Sequence, residues 1–182
     1  IISGLVGSEM CIRDRSILIL GLAPGLRGAN ATGRPFTGDF AGKVLYDALI
    51  KTGLASGTYQ ATANDDLRLN NVRISNAVRC VPPQNKPNAA EIATCRPYLS
   101  TELAQMKKLK VILALGRIAH ETILRHFHLR LNDFPFRHNY VQRLPNGLSM
   151  LSSYHCSRYN VQTNRLTLAM FDEVLTHLRG LT

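Results

Sequence analysis

Three stretches of this chain hold side chains whose types and spacing could do chemistry. Gly21–Asp39 reads GLAPGLRGANATGRPFTGD. Its five glycines let a backbone approach a ligand closely and present N–H groups to it. Arg27 and Arg34 add positive charge, Phe36 offers an aromatic face for packing or stacking, and Asp39 offers a carboxylate or a helix cap. The loop lacks the closing Gly-Lys-Ser/Thr of a Walker loop and makes no clean dinucleotide fingerprint. Ser153–Thr167 reads SYHCSRYNVQTNRLT and sets His155 just beyond an apolar run. A histidine there, paired with an acid from the first loop, makes an acid–base or electrostatic site. Asn76–Asn88, NAVRCVPPQNKPN, brings an amide at Asn76 and a thiol at Cys80.

Elements that could carry these loops are legible in the pattern. Ser16–Leu20 is a short apolar run halted by Gly21, as in a buried parallel strand. Asn71–Val78, Lys110–Leu115 and Leu148–Ser152 read as further strands. Helices are predicted from about Phe40 to Lys51, over Ala89–Met106, from Gly116 to about His126 and over Leu166–Leu178. The stretch Phe127–Asn146 is irregular and aromatic, so a surface insertion or a short hairpin is expected there. Alternating strands and helices imply an α/β fold whose parallel sheet is covered on both faces. Ligands bind such sheets at the carboxyl ends of the strands, where all three loops would meet.

With 182 residues, a single domain with a buried core is expected. The formal net charge is +10, from 22 Lys plus Arg against 12 Asp plus Glu, which favours a polyanionic partner. No apolar run approaches the ~20 residues of a membrane span. Glu9 and Asp14 interrupt any secretory pattern, so a cytoplasmic location without membrane contact is expected. Four cysteines in such a chain read as metal ligands or packed thiols, not as a disulfide framework. Val6–Arg15, VGSEMCIRDR, resembles a peptide produced by translating sequencing-adapter DNA. Residues 1–15 are therefore expected to be foreign to the fold, and 16–182 to form one domain without its native N-terminal segment.

GLAPG and GRPFTGD in the first loop and YHCSRYN…NRLT in the last resemble the signature motifs of uracil-DNA glycosylase family 5, iron–sulfur relatives of family 4. NAVRCVPPQNKP…C at Asn76–Cys95 and LALGRIAHE at Leu113–Glu121 resemble its other segments, in family order. The resemblance implies a three-layer α/β/α sandwich around a four-stranded parallel sheet. It implies hydrolysis of the N-glycosidic bond of uracil in DNA, with the nucleotide flipped into a pocket at the strand ends. Family 5 also implies other deaminated bases as substrates.

Roles follow from the matched motifs. Gly21, Leu22, Ala23, Pro24 and Gly25 would line the base pocket, Phe36 would stack on the base, and Asn76 would read its edge. His155 would hold the charge of the leaving base, and Asp39 would position water or stabilise the sugar cation. Arg27, Arg34, Ser157, Arg158 and Tyr159 would contact DNA, with Tyr159 filling the gap left by the flipped base. Leu22 stands where family 4 has a carboxylate, which turns the acidic role to Asp39. Cys156 stands where the family has proline. Asn164 stands where it has glycine, and asparagine tolerates the left-handed backbone.

The family's [4Fe-4S] cluster needs four cysteines, and Cys80 and Cys95 match one pair. The other pair would lie upstream of Ser16; Cys11 has no Cys-x-x-Cys partner. A monomer is the family's usual form. Two other classes remain open: an inactive nucleic-acid-binding module of the same fold, and a hydrolase of free nucleotides, which the absence of a metal carboxylate cluster disfavours.

Overall fold

The computed structural model describes residues 12–25, 29–83 and 87–182. Strand β1 (Ile17–Gly21) lies second from one edge of a five-stranded sheet. Its neighbours are β4 (Val72–Asn76) and β5 (Val111–Leu115), and β5 is followed by β7 (Ser149–Ser153) and β6 (Tyr140–Arg143), in the order β4-β1-β5-β7-β6. The first four are mutually parallel, as expected. β6 runs antiparallel to β7, so the irregular stretch after residue 127 ends in a hairpin that adds a fifth strand. Two-residue strands β2 (Ala55–Ser56) and β3 (Arg68–Leu69) form a separate small ribbon.

Every residue of β1, β5 and β7 is buried, because helices cover both faces of the sheet. Strand periodicity divides these side chains between two layers. Ile17, Ile19, Leu113 and Leu151 pack against helices α2 (Phe40–Lys51) and α6 (Leu168–Gly180), through Leu45, Leu49, Phe171 and Leu175. Leu18, Leu20, Ile112 and Met150 pack against α3 (Ala89–Gln105) and α4 (Arg117–His126), through Leu99, Ile123 and Leu124. The fold is thus the expected α/β/α sandwich.

The helix signals act as the sequence suggests. Asp39 caps α2. Asn88 and Glu91 form a reciprocal capping box on α3, which is worth roughly 1 kcal/mol. Short helices α1 (Ala29–Thr32) and α5 (Arg158–Gln162) lie in the first and last of the three loops. Asn164 adopts φ 54°, the left-handed backbone that its position requires.

Residues 1–11 lie outside the described residues. Ile12 packs against the α3/α4 layer, and an Arg15 guanidinium nitrogen donates to the Leu69 carbonyl at 2.7 Å.

Candidate active site

β1 and β4 deliver the first two groups. Gly21 and Asn76 are partners across these strands, at their carboxyl ends. A Cβ at Gly21 would lie 2.4 Å from the Phe36 ring and 2.6 Å from Asn76 Oδ1. Glycine is therefore required where backbone, aromatic ring and amide meet. Gly21→Ala is expected to push Phe36 out of place and to lower kcat/KM about tenfold or more, measured on uracil-containing DNA.

The Asn76 side chain is 8 % exposed, and its Oδ1 has no hydrogen-bond partner. Such an orphan costs about 1–3 kcal/mol, and is explained when a ligand supplies the partner. The strand end behind it is anchored by Glu102 of α3. That buried carboxylate accepts from Arg73 Nε (2.6 Å), Ser75 Oγ (2.6 Å) and an Arg79 guanidinium nitrogen (2.8 Å).

Phe36 is buried with φ 61°, a strained conformation for a bulky residue. Several contacts hold it there. The Tyr59 hydroxyl donates to the Phe36 carbonyl at 3.4 Å and accepts from the Gly38 N–H at 3.1 Å. The Tyr46 hydroxyl donates to the Pro35 carbonyl at 2.6 Å. A Cβ at Gly42 would lie 1.5 Å from the Phe36 carbonyl oxygen, so the first turn of α2 meets this backbone directly.

Arg34, expected to contact DNA, has its guanidinium engaged within the protein. Its guanidinium grips Asp65 at 2.6 and 2.7 Å, donates to the Thr37 hydroxyl at 2.7 Å and the Thr62 carbonyl at 2.6 Å, and lies over the Tyr46 and Tyr59 rings. It is an internal strut for the Phe36 turn. The bond to Arg34 holds the Asp65 carboxyl well below the usual carboxylate range. Asp65→Ala leaves Arg34 without its anion; unfolding by denaturant should show a loss on the order of 3 kcal/mol. Arg27 lies outside the described residues.

His155 follows β7 and faces Phe36, ring centroids 6.0 Å apart and 27° from coplanar. Burial pushes its pKa down to about 4, so at neutral pH the imidazole is uncharged and presents one N–H. Asn160 Nδ2 donates to the His155 carbonyl at 2.8 Å. The Cys156 thiol donates to the Ala41 carbonyl at 3.5 Å, which ties this loop to the first turn of α2. Burial pushes that thiol up to about 12, so it stays protonated.

Asp39 heads the same helix, with Oδ1 accepting from the Gly42 N–H at 2.7 Å. Burial raises its pKa, against the N–H groups of Gly42 and Ala41, which lower it. An aromatic plate, an unpaired amide, a neutral imidazole and a desolvated carboxylate are thus assembled at one end of the sheet. Such a set can hold a planar heterocycle and respond to charge separation in it.

The remaining predicted residues divide. Leu22 lines a cavity of about 300 Å³ beside His155. The Gly21 and Leu22 carbonyls accept from the Ala77 and Val78 N–H groups at 3.0 Å. Pro24 is buried and Gly25 half-buried. Ala23 packs toward Val78, Ile92 and Cys95, so its side chain serves the α3 layer. Ser157 caps α5, Arg158 lies over the Phe40 ring at 5.4 Å, and Tyr159 stands 70 % exposed.

Exposed Cys80 and buried Cys95 open onto one hollow of about 270 Å³, and Cys95 Sγ accepts from the Arg79 N–H at 3.4 Å. Among the described residues no group of three or more His, Cys, Asp or Glu could hold a metal ion. The supports Tyr46, Tyr59, Asp65 and Glu102 gave no signal in the sequence, because each acts across a gap of eleven to thirty-one residues.

A family model described as the uracil DNA glycosylase superfamily matches residues 8–179. The type-5 uracil-DNA glycosylase of Thermus thermophilus is 49% identical over 168 residues, which is 92% of this chain and 76% of that protein. That of Mycobacterium tuberculosis is 42% identical over 167 residues, 91% of this chain and 62% of the relative. A type-4 enzyme of Pyrobaculum aerophilum is 36% identical over 109 residues, 59% of this chain and 47% of the relative.

Proposed function

The chain belongs to the uracil-DNA glycosylase superfamily, and on that premise we propose that it hydrolyses the N-glycosidic bond of uracil in DNA as a base-excision repair enzyme. The observation that carries the reading is the convergence of Phe36, the unpaired Asn76 amide and neutral His155 around Gly21.

The target nucleotide is flipped from the duplex, at an unstacking cost of about a few kcal/mol. Phe36 stacks on the base, and Asn76 Oδ1 takes up a ring N–H, which relieves its burial cost. As the bond from C1′ to the base nitrogen breaks, both electrons leave with the base. The His155 N–H stabilises the resulting anion by a hydrogen bond in which the proton stays on the imidazole. The Asp39 carboxylate faces the cationic sugar and orients the water whose oxygen bonds to C1′. One proton of that water is released, and the base anion ends protonated. With Leu22 unable to ionise, no carboxylate from that position competes for the role. We extend the substrate range to other deaminated bases, which the type-5 resemblance supports.

Cys80 and Cys95 would supply two of the four thiolates that a [4Fe-4S] cluster needs; of the other two cysteines, Cys11 lies outside the described residues without a Cys-x-x-Cys partner and Cys156 bonds the Ala41 carbonyl, so this sequence lacks the second pair. Such a cluster would order the loop that follows Asn76. This chain is accordingly expected to hold less than one cluster's complement of iron and acid-labile sulfide, and stoichiometric uptake of four irons would contradict that. No helix among the described residues is long and apolar enough to cross a membrane, and the enzyme is proposed to act as a cytoplasmic monomer.

The test is a DNA strand with one uracil, scored for alkali-labile sites. Asn76→Ala should lower kcat/KM by about 10²-fold while leaving stability within about 1 kcal/mol, because it removes an orphan acceptor. Tight DNA binding without any strand scission on uracil, hypoxanthine or xanthine would replace the enzyme with a binding module.

A further inference from the structure

His155 also borders a cavity that the chemistry above does not use. This hollow of about 300 Å³ opens at the carboxyl ends of β1, β5 and β7, and neither Phe36 nor Asn76 contributes to its wall. Its walls are of two kinds. Leu22, Leu115, Phe136 and Tyr154 are apolar or aromatic, whereas Arg117 and Arg165 are cationic.

The aromatic walls are held in place. Tyr154 stacks on His138 with centroids 4.8 Å apart and planes within 4°, and the Tyr154 N–H donates to His138 Nδ1 at 3.1 Å. Phe136 lies 6.0 Å from the Tyr154 ring and packs edge-on against His120 at 5.5 Å. His120 in turn bonds the Phe134 carbonyl and the Ser152 hydroxyl, both at 2.8 Å. The two guanidiniums lie against these rings, Arg165 4.9 Å from the Tyr154 centroid and Arg117 5.9 Å from that of Phe136. Neither joins a salt bridge among the described residues, unlike Arg34, Arg73, Arg79 and Arg125.

Fixed aromatic faces beside unpaired guanidiniums suit a planar ring attached to a phosphate. The volume is at the lower end for ligand pockets, near the size of one nucleotide. We propose that this cavity is a second nucleotide subsite, which takes the nucleotide next to the excised one. Its base rests against Phe136, since His138 and Arg165 already lie over the Tyr154 ring, and its phosphodiester lies on Arg117 and Arg165. The inference rests on the glycosylase reading and adds to it a reason for the hairpin of β6 and β7, which carries the aromatic wall to the strand ends. It also implies that substrates with an unstacked neighbour are favoured.

The experiment is a coupling measurement between protein and DNA. Single-uracil oligonucleotides carry a neutral methylphosphonate at each flanking phosphate in turn, or a tetrahydrofuran in place of each neighbouring base. The wild-type protein should lose about tenfold in kcat/KM at one phosphate and one neighbouring base. Arg117→Ala with Arg165→Ala should show that loss on native DNA and no further loss at that methylphosphonate. Phe136→Ala should behave likewise toward the missing base. Kd is measured in parallel on the same strands with tetrahydrofuran at the lesion, which reads the subsite without chemistry. Wild-type protein indifferent to every flanking change in Kd and kcat/KM, or losses that simply multiply between variant and analogue, would overturn the subsite. Absent excision with the coupling intact in Kd would instead count against the glycosylase reading alone.

Discussion

Asp39→Asn is expected to fold as stably as the wild-type protein and to lose about 10²–10⁴ in kcat. The two halves of that result have separate causes. Asp39 caps α2, and asparagine caps a helix about as well as aspartate, so the bond to the Gly42 N–H survives. Burial raises the carboxyl's pKa above 3.8 in the folded state. Just above that value the folded chain keeps a proton that the unfolded chain has lost, so the stability this carboxyl contributes falls as pH rises through the folded pKa. At neutral pH the ionised group therefore carries a desolvation cost that the amide avoids. Activity goes the other way, since asparagine brings no negative charge to the sugar. Asp39→Ala should lose the activity and about 1 kcal/mol of stability as well. Single-turnover rates and denaturant unfolding on both variants separate the roles; a stable Asp39→Asn with full activity would remove Asp39 from the chemistry.

His155→Ala should cost about 10²–10³ in kcat, the range for loss of one donor to a developing anion. The histidine also shapes the acid side of stability. Unfolded, it takes a proton as pH falls below 6.5; folded, only near 4. Between those values the unfolded chain holds more protons, so stability rises with pH there. This contribution is complete above about pH 6.5 and is lost as pH falls toward 4. Unfolding free energies from pH 4 to 7 should be less steep in His155→Ala. The same slope in both proteins would show that His155 is not held neutral by the fold.

The layers of the fold were legible because parallel strands buried on both faces are written as short apolar runs between glycines and capped helices. Ile17–Gly21 and Phe40–Lys51 lie within a residue of where those signals put them. The assembly of Gly21, Phe36, Asn76 and His155 followed from motif resemblance and from the rule that such loops meet at the carboxyl ends of strands. What holds them was not legible. Arg34 reads as a free cation in a glycine-rich loop, and only its approach to Asp65, thirty-one residues away, reveals a strut. The φ of 61° at Phe36 is likewise set by Tyr59 and by the close approach of Gly42, not by any turn signal of its own. Ala23 sits within a motif but faces the thiol layer, because adjacent residues leaving a strand point to opposite sides. The antiparallel β6 was hidden by its irregular approach, and its short pattern has only one buried residue, Gln142.

The measurement closest to the central claim is the amount of free uracil released from a single-uracil strand, counted against abasic sites formed, for the wild-type protein and Asp39→Asn. One free uracil per abasic site is expected with the wild-type protein, and a release rate lower by at least about 10²-fold with Asp39→Asn. Tight binding of that strand with no free base from either protein would contradict it.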